Sequence, residues 1–129
     1  MKTGLKLLLV FIFPAFSVFA ATPEQKLVDE ALSCASYYQI SSHALEQMNV
    51  PQMKNVAERL KGSEKLAIKI AIKYDKDAET KLQKVMQQQM SVMKNSTGLK
   101  DMIAKYRQQC MTLLSDPDKR LDYWEMALM

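Results

Sequence analysis

Two cysteines, one histidine and a run of methionines are the residues of this chain that have reactive or metal-binding side chains. Cys34 and His43 sit in "LSCASYYQISSHA" (32–44), together with Tyr37 and Tyr38. A cysteine and a histidine suggest a thiolate nucleophile activated by an imidazole base. Their spacing of nine positions, however, sets them about 180° apart on a helix, so an intrahelical Cys-His pair is excluded. No C-x-x-C motif is present that would carry redox exchange.

The second cysteine, Cys110 in "YRQQCMTLL", gives Cys34 a different part to play. Two cysteines in an exported chain pair with each other. A Cys34–Cys110 bond closes a loop between residues 76 positions apart. The chain-entropy model assigns such a closure about 4.5 kcal/mol. The expected disulfide therefore turns the aromatic cluster into packing around a strap. With 34 opposite 110 on antiparallel helices, Tyr38 is expected to face Tyr106, Ala31 to face Leu113 and Leu45 to face Leu99.

Metal chemistry has one candidate. One histidine and two bonded cysteines do not make a zinc site, and no cofactor is expected. In "MQQQMSVM", however, Met86, Met90 and Met93 fall at i, i+4 and i+7. Thioethers are soft ligands that select Cu(I), so a Cu(I) carrier using this face is one alternative function. The plainer reading is a methionine-filled core stripe continuing Leu82 and Val85.

Paired carboxylates, Asp75 with Asp77 and Asp116 with Asp118, fall at expected helix starts. There acidic groups complement the helix dipole, and nothing suggests a cleft that would split their pKa values for catalysis. The expectation is that the protein is not an enzyme.

Export is read from the N-terminus. "MKTGLKLLLVFIFPAFSVFA" joins Lys2 and Lys6 to an apolar run and ends on Val18-Phe19-Ala20. This is a signal peptide (1–20) with cleavage expected after Ala20, leaving one helical domain (21–129) in the periplasm or secreted. The apolar run is shorter than the roughly 20 residues a spanning helix needs, and no transmembrane segment is expected in the mature chain. The full chain has 18 Lys and Arg against 14 Asp and Glu. Loss of Lys2 and Lys6 reduces that excess further, which with export argues against nucleic-acid binding.

The elements that must position these residues read as helices, since glycine is scarce and Ala, Leu, Met, Lys and Gln abound. Thr22, Pro23 and Gln25 form a capping-box start. Leu27, Ala31, Cys34, Tyr38, Ser41, Leu45 and Met48 follow as one stripe. Pro51 restarts a helix after "NVPQM", and a further break is expected at Gly62 or near Asp75. "KNSTGLKD" offers Ser96 or Thr97 as a cap. Leu99, Ile103, Tyr106, Cys110 and Leu113 make the next stripe. Asp116 and Pro117 open a last short helix with Leu121, Trp124 and Leu128 on one side. The expected fold is all-α: a four-helix up-down antiparallel bundle with a short C-terminal helix, stapled by the disulfide.

Between Leu60 and Tyr74 the lysines 61, 65, 69 and 73 recur every fourth position. They cover about 120° of the helix and leave an apolar arc near 240°. A helix of that kind needs neighbours on two sides or a dimer interface. The lysine stripe suits an anionic surface, making an envelope-surface-associating protein the second alternative. Tyr123 and Trp124 are candidate partner anchors, with Trp124 expected to plug one end of the bundle.

The principal expectation is a small exported helical protein acting by protein–protein interaction, in an inhibitor, immunity, chaperone-like or envelope accessory role. A homodimer is a further possibility. In gross build the chain resembles the small helical two-cysteine acid-stress chaperones of the bacterial envelope, a likeness of type that carries over no residues.

Overall fold

The computed structural model describes residues 21–93 and 98–129. The expected signal peptide (1–20) and the expected caps Ser96 and Thr97 lie outside the described residues. Five helices follow in order: α1 Pro23–Gln47, α2 Pro51–Tyr74, α3 Ala78–Val92, α4 Gly98–Ser115 and α5 Pro117–Ala127. Among the described residues there is no strand. The chain is all-helical with one disulfide, Cys34–Cys110.

Local chemistry accounts for the helix ends. Thr22 caps α1 by accepting from the Gln25 N–H at 3.2 Å, and the Gln25 side chain accepts from the Thr22 N–H at 3.0 Å. Two otherwise orphaned donors are thereby satisfied, and Pro23 occupies the first turn, where no N–H is needed. The α1–α2 turn needs a left-handed residue, which Asn49 supplies at φ 55°. Pro51 then begins α2, which runs unbroken through Gly62 and ends before Asp75. Asp75 makes the next corner, its carboxylate accepting from the Asp77 N–H at 3.0 Å and pairing with Lys81 at 2.5 Å. Asp116 caps α5 by accepting from the Lys119 N–H at 3.0 Å, with Pro117 in the first turn.

α1 is the centre of the molecule and touches all four other helices. The single stripe expected for it is too narrow. Between Leu27 and Ser42 it is buried nearly all round, including Val28, Leu32, Ala35, Ser36 and Tyr37. Small residues at 31, 35, 36, 41 and 42 let neighbours approach from several sides. The expected stripe also fades at its end, where Met48 is exposed.

α2 meets this centre through Ala57, Ala67 and Ala71. α3 contributes Ala78, Leu82 and Gln89, and α4 contributes Met102, Cys110 and Leu113. Met102 takes the inward position expected of Ile103, which lies at the exposed margin.

The disulfide joins α1 to α4 with the Cα atoms 5.5 Å apart. Its aromatic neighbour differs from expectation: Tyr37, not Tyr38, packs on Tyr106, with ring centroids 6.1 Å apart. Tyr37 and Tyr38 lie about 60° and 40° to opposite sides of Cys34, so both are near the seam. The lateral position of α4 decides which one is met. Tyr38 stacks against Tyr37 instead, at 5.1 Å.

Candidate functional site

The fold joins the two cysteines and leaves the histidine apart from them. Cys34 and Cys110 are fully buried and bonded, and among the described residues no free cysteine remains. His43 is on the exposed side of α1, where its Nε2 shares a 3.0 Å hydrogen bond with the Gln47 amide. Burial pushes the phenol pKa values of Tyr37 and Tyr38 upward; for Tyr37 the Arg107 charge acts against that. Both rings therefore remain neutral phenols at ordinary pH, as packing elements do.

The three methionines do not share one opening. Met93 ends α3 as its C-cap and lines a cleft of about 440 Å³ with Met102 and Tyr106. This cleft separates α3 and α4, which both lie on α1 and barely touch each other. Met86 and Met90 line a different groove, beside Ile40 and His43. The helix ends at Val92, so the i+7 position no longer continues the face.

A polar node that the sequence reading missed lies at the junction of α1, α4 and α5. Glu30 has a side chain only 4% exposed, surrounded by donors. The Arg120 Nε donates to Oε1 and Oε2 at 2.8 and 2.9 Å, and the Trp124 indole N–H donates to Oε2 at 2.6 Å. The Gln109 amide donates to Oε1 at 3.2 Å. A buried carboxylate is tolerable only with such compensation. The available signal was a glutamate between Leu27 and Cys34, within a core stripe, and an Arg-Trp pair spaced i, i+4 on the last helix.

This node fastens a helix that has no buried residue of its own. Trp124 turns inward to Glu30, with Leu121 packed beside it at the core margin. Tyr123, the other residue expected to anchor a partner, turns outward at 49% exposure. Its ring meets Trp124 edge-on at 5.2 Å and carries the Arg120 guanidinium at 4.1 Å. Met126, 73% exposed, extends this surface, and Tyr123 and Met126 share a groove with Thr112, Ser115 and Lys119.

The lysine stripe of α2 divides into two kinds. Lys61 forms ion pairs with Glu46, across the hairpin, and with Glu58. The Glu46 hydrogen bond is the main cause that raises its pKa. Among the described residues, Lys65, Lys69 and Lys73 pair with no carboxylate. All three are exposed. The wide apolar arc is only partly covered, since Leu66 is 54% and Ile72 38% exposed. Glu64, on the inward margin, has a pKa raised by burial and lowered in part by Lys61 and Lys65.

The described helices contain none long and apolar enough to cross a membrane. Compared with family models, curated proteins and solved structures, the chain matches none.

Proposed function

We propose that this chain is a small exported protein, periplasmic or secreted, that works by binding another protein and performs no catalysis. The observation that carries the reading is α5, a helix braced by Glu30 that displays Tyr123 and Met126 outward. Tyrosine, methionine and arginine are the types enriched in protein interfaces, and aromatic residues with arginine supply most binding hot spots. A rigid mount lowers the entropy lost on docking, and the disulfide and the Glu30 node provide one.

Export is supported by the buried disulfide, by the lack of a membrane-crossing helix among the described residues and by the signal-like N-terminal sequence. The non-catalytic reading is supported by the consumption of both thiols in the disulfide and by the place of His43, nine residues along α1 from Cys34 on an exposed position and bonded to Gln47. An up-and-down order of the four long helices, with α5 laid across, is part of the proposal. It is supported by the Glu46–Lys61 pair between α1 and α2 and by the Ser36–Gln89 hydrogen bond between α1 and α3. The Tyr37–Tyr106 contact and the Cys34–Cys110 bond favour an antiparallel α4.

The test is a photo-crosslinking amino acid at position 123 of the full chain expressed in its own host. A discrete adduct with another envelope or secreted protein is the expected result, reduced when Met126→Ala is added. Absence of any adduct, or adducts unchanged by Met126→Ala, would overturn the reading. An adduct with a second copy of the chain would convert it to a homodimer.

A further inference from the structure

We infer a second binding surface, apart from the Tyr123–Met126 face of α5: the outer face of α2 is a docking face for an anionic lipid bilayer, with Lys65, Lys69 and Lys73 meeting the headgroups. Three observations combine. The three lysines run along about 12 Å of one helix within an arc of about 80°. They are exposed and, among the described residues, unpaired, whereas Lys61 in the same row is neutralised by Glu46 and Glu58. Exposed apolar residues border the row on both sides. Ile72 lies about 20° beyond Lys65 and Leu66 about 20° beyond Lys73.

The order of these side chains selects the occupant. A protein interface has an apolar core and a polar rim, and lysine is depleted from it. Here the cations occupy the middle and the apolar groups the margins. A face that rests on the headgroup plane of an anionic bilayer is served by that arrangement, because the lysines place their ammonium groups at the phosphates while their methylene stems and the apolar neighbours lie against the interface. Next to the row, a shallow groove lined by Leu66, Ile70, Tyr74, Leu114 and Pro117 enlarges the apolar margin. Lys76, exposed just past the helix end, extends the positive field. Some of the acidic groups nearby are already engaged, Asp75 by Lys81 and Glu58 by Lys61, while Asp77 beside Lys76, Asp118 at the groove edge and Glu64 on the inward margin offset part of the field. Charge complementarity thus points to an anionic plane, and no helix among those described is built to pass through it.

The experiment is vesicle co-sedimentation of the disulfide-intact mature chain. One set of vesicles is phosphatidylcholine alone, and the other is phosphatidylcholine mixed with phosphatidylglycerol. Binding is expected only to the second set and should weaken as salt rises. Each lysine near an anionic surface is worth about a fivefold change in partitioning, so K65Q/K69Q/K73Q should lose about a hundredfold. K61Q, the same loss of charge at the paired position, should lose far less than any one of the three. L66S/I72S should weaken vesicle binding while leaving binding to soluble poly-glutamate unchanged. The triple lysine variant and L66S/I72S alter exposed positions and K61Q a half-buried one, and circular dichroism checks that each is folded.

Equal binding to both vesicle types, or a triple variant that binds like the unmodified chain, would overturn the inference. So would poly-glutamate binding as tight as vesicle binding, which would assign the face to an acidic protein. A dimer in sedimentation that L66S/I72S dissolves would assign it to a second copy.

Discussion

Replacing Glu30 by alanine should release α5 from the body of the protein. The substitution leaves the Arg120 guanidinium, the Trp124 indole N–H and the Gln109 amide without their shared acceptor. Breaking a buried ion pair by deleting one partner costs about 3–5 kcal/mol. Arg120 is 23% exposed, so water recovers part of that, and about 2–3 kcal/mol is the appropriate range. For a domain of this size the fall in Tm is then about 8–12 °C. The chain has one tryptophan, and it is a member of the node, so its fluorescence reports the event directly. Thermal unfolding by circular dichroism, with tryptophan emission recorded in parallel, should show the lower Tm and a red-shifted native emission. Arg120→Met should cost at least as much, because it strands the more deeply buried partner. Glu30→Leu/Arg120→Met should cost less than the two single changes together. A Glu30→Ala protein with unchanged emission and a Tm within about 2 °C of the original would refute the bracing role, and strict additivity in the cycle would refute the coupling.

Reduction of Cys34–Cys110, or Cys34→Ser/Cys110→Ser, should lower stability by up to about 4.5 kcal/mol and leave most helicity, read by urea unfolding; native exported protein should have no titratable thiol. Gly62→Ala should stabilise α2 by about 0.5–1 kcal/mol, since a Cβ there meets nothing within 4 Å. Gly98→Ala should destabilise, because its Cβ would stand 2.7 Å from the Met93 Cα; a paired chemical-denaturation comparison separates the two signs. Lys81, with the Asp77 N–H, holds the Asp75 carboxyl below its usual pKa, so its contribution is present above about pH 4 and lost as pH falls below that. Asp75→Asn should therefore unfold earlier than the unmodified chain at neutral pH, with the difference closing in acid, as measured by urea midpoints across pH.

The lysine row was visible in the sequence because a four-residue recurrence is a property of one helix. Its division into a paired Lys61 and a Lys65, Lys69 and Lys73 that meet no carboxylate among the described residues was not, since Glu46 reaches Lys61 only after the hairpin closes. The same limit explains the methionines. Their periodicity assumed a helix continuing past Val92, and its end there sends Met93 to a cleft shared with α4. Glu30 was passed over because a glutamate beside surface residues and a glutamate beside Leu27 read alike until Arg120 and Trp124 arrive from the far end of the chain.

By itself the sequence determined the helix starts at Thr22, Pro51 and Pro117, the all-helical class and the pairing of the two cysteines. These depend on backbone capping, intrinsic propensity and the chemistry of a lone cysteine pair, all of which act over a few residues or need no geometry. Only the tertiary structure decided that α1 is buried nearly all round, that Tyr37 rather than Tyr38 meets Tyr106, and that Met102 rather than Ile103 faces inward. The physical reason is that an apolar stripe says which side of a helix avoids water, whereas the number and lateral offset of the neighbours that cover it depend on how the other helices arrive.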